Sequence, residues 1–366
     1  HIVVRRQRQM CIRDSHFSVE IIASEGDLSI DVKCARPFSS VMPTVVHVGP
    51  ISSPGGIQAV IRTLSSQPPD GWNLETVESH SLGSYFSKLQ AYKNAKKRIE
   101  NIINQTKDGV IVHLHAASDY SFLRKLRLAE HAHRRGGKIV FHIHSGNILS
   151  WLGKKGRADK MKRRLNDCNA TIVCLSGRWK ELLTPFLGKC VVSPNPIDPI
   201  HCIDEKVERK PNQLLLLGRD DAVKGHDFAF EIMREFQKNG STLELHCTGR
   251  KSAPDNLSNV VAHGWVSIEE KVKLLQESSL LLLPSKYEGQ PMVALEALAC
   301  GTPVLASKSL HSLPDVIFRP DEETIECWAD SIENLLGAEI ELGNATNAHN
   351  IDSINLNLLG VYRGLI

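Results

Sequence analysis

Short apolar runs alternate along the chain with longer segments in which apolar residues recur every three or four positions. The runs predict buried strands, and the longer segments predict amphipathic helices. The predicted strands are residues 44–48, 74–78, 110–114, 138–144, 171–175, 213–217, 243–248, 260–265 and 280–283. Alternation of this kind predicts an α/β fold with parallel, doubly wound sheets, whose ligands bind beyond the carboxyl ends of the strands.

The length and composition predict two domains. A chain of 366 residues is long for one core. Residues 43–196 are predicted to form the first Rossmann-like domain and residues 197–345 the second, joined through a charged, proline-containing segment, 198–211. Residues 346–366 are predicted to include a terminal helix. Residues 1–42 begin HIVVRRQRQMCIRDS, which resembles read-through of a sequencing adapter, and they are predicted to be an artefactual or disordered extension.

Overall composition excludes some classes of protein. The hydrophobic fraction of 42% and the charged fraction of 23% are ordinary for a globular protein. No stretch approaches the roughly 18 apolar residues that predict a transmembrane helix. Nine cysteines are scattered without C-x-x-C pairs, which favours reduced cysteines in a cytoplasmic protein.

Charge is divided unequally along the chain. Residues 43–195 contain 23 Lys and Arg against 10 Asp and Glu, whereas residues 196–366 contain 15 against 26. The basic first half predicts an anionic partner, such as a membrane surface or a phosphate-bearing acceptor. Nucleic acid is not predicted, because no binding motif is present and aromatic residues make up 5% of the chain.

Two basic segments concentrate this charge. One is the predicted helix 85–103, and the other is residues 154–164, with seven basic residues and one acid. A basic amphipathic helix can lie on an anionic bilayer, and a solvated helix packed on a sheet explains the pattern equally. The location predicted is the cytoplasm, with a peripheral position on the inner face of the membrane as the further option.

The stretch SKYEGQPMVALEALACGTPV, residues 285–304, follows a predicted buried strand and leads through a turn into a predicted helix. This order aims free backbone N–H groups and the positive end of a helix dipole at a ligand, which favours a phosphate. Glu288 precedes the helix and Glu296 lies within it. Carboxylates accept paired hydrogen bonds from neighbouring hydroxyls, so the two could hold two sugars on either side of a diphosphate.

This stretch resembles the donor-binding motif of retaining glycosyltransferases with the GT-B fold, of the glycosyl transferases group 1 or family 4 type. The two glutamates are spaced as in that family, and ACGTPV is its usual continuation. The resemblance covers roughly residues 43–366. It implies two facing Rossmann-like domains, with donor held mainly by the second and acceptor by the first. It also implies that the terminal helix crosses back onto the first domain.

The resemblance assigns roles to particular residues. Arg219 and Lys224 are expected on the diphosphate, Glu288 on the donor sugar, Glu296 on the ribose and His144 on the transferred sugar. Further donor-binding candidates are Gly55, Gly56, Gly289, Gln290, Pro291, Met292 and Val293. Weaker candidates for the nucleotide base are Gly249, Arg250 and Trp265. Gln290 stands where many members have an aromatic residue or glycine, which leaves the donor sugar unassigned.

Neither a metal nor a cofactor is predicted. The pairs His113 with His115 and His142 with His144 each place two imidazoles on one face of a strand. No further ligand follows either pair, and no Asp-x-Asp pair stands at a strand end. The nucleotide-diphosphate sugar is therefore expected as a substrate, and His142 is an alternative to His144 for the role on the transferred sugar.

The predicted function is retaining, metal-independent transfer of a hexose from a nucleotide-diphosphate sugar to a glycan or lipid-linked acceptor, in cell-surface polysaccharide or glycolipid biosynthesis. An inverting transferase or an epimerase could share the architecture without needing the glutamate pair. A non-catalytic nucleotide-sugar-binding protein would keep the phosphate site without turnover. The sugar, the nucleotide, the acceptor and the oligomeric state are not specified by the sequence.

Overall fold

A computed structural model describes residues 42–106, 109–336, 338, 340–342 and 344–366. The extension predicted for residues 1–42 lies outside this description except for its last residue. Within the described residues two parallel sheets form, one from each half of the chain. The expected α/β architecture is confirmed, whereas the predicted domain limits at residues 43, 196 and 345 stay predictions.

The first sheet has six parallel strands in the order β2-β1-β3-β4-β5-β6. Its strands are β1 Thr44–Gly49, β2 Asn73–Glu78, β3 Val110–Ala116, β4 Lys138–Ile143, β5 Thr171–Cys174 and β6 Cys190–Val192. β1, β3 and most of β4 are buried, so both faces of the sheet are covered. This burial on two faces explains why the central strands are almost continuously apolar.

The second sheet has five parallel strands in the order β11-β10-β7-β8-β9. These are β7 Lys210–Leu216, β8 Glu244–Cys247, β9 Val260–Ala262, β10 Ser278–Leu283 and β11 Val304–Ala306. Strand β7 begins three residues before the predicted start at Gln213. Its first three residues, Lys210, Pro211 and Asn212, are exposed, so the apolar pattern shows only the buried part of the strand.

Eleven α-helices connect and cover the described parts of the two sheets. They are α1 Gly56–Ser66, α2 Tyr85–Gln105, α3 Asp119–His133, α4 Ile148–Leu152, α5 Arg157–Asp167, α6 Gly177–Leu187, α7 His226–Lys238, α8 Ile268–Glu277, α9 Met292–Ala299, α10 Ile325–Leu336 and α11 Ile351–Arg363. The Ser267 hydroxyl accepts the Glu270 backbone N–H, and the Glu270 side chain accepts the Ser267 N–H. These reciprocal hydrogen bonds form a capping box at the start of α8.

Helix α2 departs from its predicted packing. Its buried residues are Ala95, Ile99 and Ile102, whereas Tyr85 and Phe86 are 76% and 79% exposed. The sequence pattern placed Tyr85 on the apolar face of the helix. The first buried residue of α2 is Ala95. The turns before it therefore do not pack on the core.

Two expectations from the composition concern membrane-spanning helices and the state of the cysteines. Among the described residues, no helix combines the length and the apolarity that crossing a bilayer requires. The described cysteines are free thiols, and Cys174 and Cys247, which lie in apolar runs of the sequence, are buried.

The C-terminal helix α11 packs on the first sheet, although it follows the second sheet in sequence. Ile354, Leu358 and Tyr362 share a core cluster with residues of β1, β3, β4 and α1. Tyr362 is 1% exposed, and its hydroxyl lies 2.7 Å from His113 Nδ1. Burial raises the pKa of Tyr362, so the phenol stays protonated and can donate to the imidazole.

We predict that Tyr362→Phe lowers the free energy of unfolding by about 1–2 kcal/mol, because it leaves a buried ring nitrogen of His113 without a partner. Tyr362→Ala should cost about 3–5 kcal/mol through the cavity that it creates. Urea unfolding measures both. Tyr120→Phe, at a side chain that is 86% exposed, is the control and should not change stability. Equal stability of Tyr362→Phe and wild type would show that the hydrogen bond between Tyr362 and His113 does not stabilise the fold.

Candidate active site between the two sheets

Residues 285–304, which resemble a donor-binding motif and are called the donor motif below, contain the turn between β10 and α9. Helix α9 begins at Met292, directly after Pro291, and six of its eight residues are buried. Its first turn carries no acidic side chain, so the positive end of the helix is not neutralised locally. The first N–H groups of a helix also lack intrahelical acceptors. The segment from Pro291 to Val293 therefore suits an anionic phosphate group.

Lys224 and Glu288 form an ion pair at the carboxyl edge of the second sheet, between Nζ and Oε1. Lys224 belongs to the loop after β7 and Glu288 to the loop after β10. Gly225 allows these loops to meet, because its φ is +77° and an added Cβ would collide with the carbonyl oxygen of Pro284. The two side chains remain 20% and 17% exposed. They can therefore still reach a ligand.

Glu296 is buried on α9, with 2% of its surface exposed. Its Oε1 accepts a 2.8 Å hydrogen bond from Lys271 Nζ and lies 3.6 Å from His201 Nε2. Its Oε2 has no hydrogen-bond partner among the described residues. A buried acceptor without a donor costs free energy. A ribose hydroxyl, as predicted for this residue, would supply the missing donor.

Arg219 lies outside the Lys224–Glu288 pair. Its guanidinium is 62% exposed and lies 3.6 Å from Asp221. An exposed pair of this kind contributes little to stability, so an incoming diphosphate could take the place of Asp221 at small cost. The structure thus brings together two of the predicted catalytic side chains and leaves Arg219 on the rim of the same loop.

The two sheets meet through the backbones of the loops after β4 and β10. A Cβ added to Gly146 would collide with the backbone of Glu288, and one added to Gly289 would collide with the carbonyl oxygen of His144. Trp179 of α6 donates its indole N–H to the Gly289 carbonyl. The backbone of His144 is therefore held beside the donor motif, and its role on the transferred sugar stays a prediction.

Gln290 makes further contacts between the two halves. Its Oε1 accepts the backbone N–H of Asn195 at 2.8 Å, and its Nε2 lies 3.4 Å from the Leu175 carbonyl and from Ser312 Oγ. The side-chain amide is 9% exposed. In this structure Gln290 thus joins segments of the chain, a role that its position in the motif did not indicate.

The glycine turn after β1 also reaches the donor motif. Gly56 begins α1, and a Cβ placed on it would lie 3.6 Å from Met292 Cγ. At Gly55 φ is +156°, and no described atom lies within 4 Å of an added Cβ. The turn therefore offers unobstructed backbone beside the start of α9, where the resemblance predicts the diphosphate.

A cluster of five histidines, one of which is His144, lies on one face of the first sheet. The contacts that join them are His47 Nδ1 to His115 Nε2 at 2.9 Å, His115 Nδ1 to His144 Nε2 at 3.0 Å, and His113 Nε2 to His142 Nδ1 at 3.2 Å. The predicted H-x-H pairs do share faces, since the rings of His113 and His115 stack at 4.4 Å. Sequence reasoning missed His47, because a single histidine in an apolar strand carries no pattern.

Burial keeps these imidazoles neutral. It lowers the pKa of His144 to about 3, with Lys125 lowering it further and Asn195 opposing the shift. His142 is 2% exposed within the sheet, whereas His144 stands at the strand end. The position at the strand end favours His144 over His142 for contact with a sugar.

The cluster contains two sets of three nitrogens that lie within 4.8 Å of one another, a spacing that a metal ion could bridge. The sets are His47, His113 and His115, and His115, His142 and His144. Hydrogen bonds between neutral tautomers account for the same spacing. The expectation that the enzyme needs no metal stays a prediction.

The candidates for the nucleotide base line the edge of the second sheet. Gly249, with φ +86°, packs against the loop after β7, where a Cβ would collide with the Gly218 carbonyl. Arg250 forms a 2.8 Å ion pair with Asp220 of that loop and a 2.7 Å ion pair with Asp227 at the start of α7. Trp265 is 65% exposed. Gly249 and Arg250 therefore have clear structural roles, and Trp265 offers an exposed ring.

Comparison with known proteins identifies relatives for both halves of the chain. The family model of glycosyl transferases group 1 matches residues 211–338. A 41.2 kDa protein of the cps region of Klebsiella pneumoniae is 30% identical over 309 residues, which cover 75% of this chain and 83% of that protein. WcaC of Escherichia coli, which bears the name of a colanic acid biosynthesis glycosyl transferase, is 33% identical over 24% of this chain and 23% of its own.

Solved structures show the same fold. Sucrose-phosphate synthase from Thermosynechococcus elongatus superposes with a TM-score of 0.67 at 15% identity, covering 88% of this chain and 99% of its own. TarM of S. aureus superposes with a TM-score of 0.60 at 18% identity, covering 74% of this chain and 59% of its own. At these identities the likeness concerns the fold.

Two parallel sheets, with the donor motif at the carboxyl edge of the second, give this chain the GT-B fold of these solved structures. The chain belongs to the glycosyl transferases group 1 family. It is therefore an enzyme, and the resemblance to group 1 glycosyltransferases noted in the sequence is confirmed, whereas retention stays a prediction.

We predict that Gly289→Ala lowers the rate of sugar transfer roughly tenfold or more, because its Cβ must push the donor loop away from His144. Initial rates with a transferable donor measure the effect, and circular dichroism checks the fold. Gly177→Ala is the matched control, since a Cβ there meets no described atom within 4 Å. A wild-type rate in Gly289→Ala would show that the approach of the loops is not needed.

Proposed function

We propose that the enzyme transfers a hexose from a nucleotide-diphosphate sugar to a glycan or lipid-linked acceptor, with retention of anomeric configuration and without a metal ion or cofactor. The proposal rests first on one observation. The Lys224–Glu288 ion pair lies at the carboxyl edge of the second sheet, in backbone contact with the loop of His144 and Gly146.

The relatives support a role in cell-surface polysaccharide or glycolipid biosynthesis. The Klebsiella relative is named for the cps region, and WcaC for colanic acid biosynthesis. TarM was solved with UDP and an α-GlcNAc-glycerol ligand. These names favour a nucleotide-sugar donor and a carbohydrate acceptor.

The chemistry follows from where charge develops. As the sugar–phosphate bond breaks, negative charge grows on the departing diphosphate, and Lys224, Arg219 and the start of α9 offset it. Glu288 holds donor-sugar hydroxyls, and Glu296 holds the ribose through its open Oε2. The acceptor oxygen bonds to the anomeric carbon, and the departing phosphate oxygen takes the acceptor proton. The neutral imidazole of His144 orients the transferred sugar by hydrogen bonding.

The stereochemistry of the product tests this mechanism against an inverting one. NMR of the first-formed product should show the anomeric configuration of the donor. The assay should proceed equally with EDTA and with added Zn²⁺. An inverted product would overturn retention. A rate that EDTA abolishes and Zn²⁺ restores would assign a metal to the histidine cluster.

We predict that Glu288→Ala and Lys224→Ala each lower turnover roughly tenfold or more. Because the two side chains are paired, the double variant should lose less than the product of the single losses. Steady-state kinetics measure all three. Lys210→Ala and Glu277→Ala are controls, since that pair is joined at 2.8 Å on the same half of the chain but has no predicted role. Unchanged turnover in both Glu288→Ala and Lys224→Ala would contradict the assignment of these residues to the active site.

A peripheral position on the inner face of the membrane is also proposed. The first turns of α2 expose Tyr85 and Phe86, and the exposed Lys88 and Lys93 follow on the same helix. Exposed aromatic side chains next to lysines suit the interface of an anionic bilayer. These two exposed rings support the membrane proposal, together with the basic charge of the first half of the chain.

We predict that Phe86→Ser combined with Tyr85→Ser reduces flotation of the protein with vesicles of phosphatidylcholine and phosphatidylglycerol, because burial of both rings in the interface is lost. Leu356→Ser is the matched control, at an exposed apolar side chain of α11. Flotation that is independent of anionic lipid, or equal in the double variant and the wild type, would remove the membrane proposal.

A further inference from the structure

Polar atoms that are buried without partners gather in the segments after β1, β2 and β3. Among the described residues they are Ser53 Oγ, His80 Nδ1, Ser81 Oγ, Arg124 Nε and Lys125 Nζ. The three strands are neighbours in the first sheet, so their carboxyl ends share one edge. Buried polar atoms normally find partners. Several unpaired atoms along one edge could be satisfied together by one polar ligand.

Lys125 is the most unusual member of this group. It lies on α3 with 0% of its surface exposed, and its Nζ makes no hydrogen bond to the described residues. Burial lowers the pKa of Lys125 to about 7, and the charge of Arg124 lowers it further while Glu78 opposes the shift. A buried amine without a partner is costly. Such groups concentrate at functional sites.

Glu78 is the carboxylate whose charge acts on Lys125, and its oxygens already accept hydrogen bonds from elsewhere. Its Oε2 accepts from Ile51 N at 3.0 Å and from Ser52 N and Oγ at 2.7 Å each, and its Oε1 accepts from His80 N at 3.2 Å. The cations of α3 therefore outnumber the acid beside them. Burial and then the charges of Arg124, Lys125 and Lys88 lower the pKa of His80.

The group lies on the acceptor side of the reaction centre. The charge of Lys125 acts on His144, whose pKa it lowers in addition to burial. His144 in turn abuts the donor loop at Gly289. His80 and Arg124 are partly exposed, whereas Lys125 lies fully buried. An anion that contacts the first two would have the Lys125 amine behind them.

We propose that His80, Arg124 and Lys125 form a subsite for a phosphate group carried by the acceptor. This inference rests on the proposed function, because it assigns the acceptor of that same transfer reaction. A guanidinium and an ammonium are the side chains that bind phosphate most strongly. The phosphate can belong to a soluble sugar phosphate or to a lipid, and the chemistry of recognition is shared.

The subsite predicts opposite effects of one substitution on stability and on binding. Lys125→Met keeps the length of the side chain and removes the unpaired amine, so the ligand-free variant should melt at a higher temperature than the wild type. The same variant should bind inorganic phosphate about tenfold more weakly or worse. If Lys125 had only a structural role, Lys125→Met would lower the melting temperature and leave the affinity for inorganic phosphate unchanged.

Thermal shift of the full chain measures both quantities. Inorganic phosphate is titrated at constant ionic strength, with saturating UDP or GDP present so that the donor site is filled. Arg124→Gln is a second test variant and should also weaken the phosphate response. Lys138→Met, an exposed lysine at the start of β4, is the matched control and should respond as the wild type does.

The outcomes separate this inference from the proposed function. Stabilisation by a nucleotide together with an equal phosphate response in wild type, Lys125→Met and Arg124→Gln would overturn the subsite and leave the transferase proposal intact. A phosphate response that both variants lose, without any stabilisation by nucleotide, would support the subsite and count against the proposed donor.

A second arm identifies the source of the phosphate. Glycerol 3-phosphate and phosphatidylcholine vesicles with phosphatidic acid are compared as competitors of inorganic phosphate. Competition by the vesicles alone supports a lipid phosphate, and competition by glycerol 3-phosphate supports a soluble one. Failure of both to compete would overturn the assignment to a phosphate-bearing acceptor.

Discussion

The site depends on the contact of two backbones at Gly146 and Gly289. Each glycine lies where a Cβ would collide with the opposite loop, so the loop after β4 and the loop after β10 approach more closely than side chains would permit. The Trp179 indole and the Gln290 amide hold this contact from two sides. Because catalysis by positioning tolerates little displacement, this contact determines where His144 stands relative to Glu288.

The polar interior of the first sheet depends on its covering helix. Helix α11 covers the face that carries the histidine cluster, and Tyr362 hydrogen-bonds to His113 beneath it. Burial keeps the imidazoles neutral, so they can hydrogen-bond to one another without charge repulsion. The last helix of the chain thereby supports the residue at the edge of the cleft, although it contributes no side chain to the donor motif.

Charge is arranged differently on the two sides of the cleft. On the donor side, Lys224 and Lys271 are each paired with a glutamate. In the first half of the chain, Lys125 is buried and its Nζ finds no hydrogen-bond partner within the part of the chain that the structure describes. An ion pair compensates the charge of its lysine, whereas an unpaired buried amine lowers stability. The excess of basic residues in the first half of the chain thus includes one lysine that is buried on α3.

The sequence by itself determined the order of elements, the class of fold and the donor motif. Local periodicity and turn chemistry carry that information, as the capping box at Ser267 and the glutamates of the motif show. It did not reveal the Lys224–Glu288 pair, the addition of His47 to the cluster, the exposed start of α2 or the unpaired Lys125. These depend on contacts between residues far apart in the chain, because burial and charge pairing are properties of the packed structure rather than of any one segment.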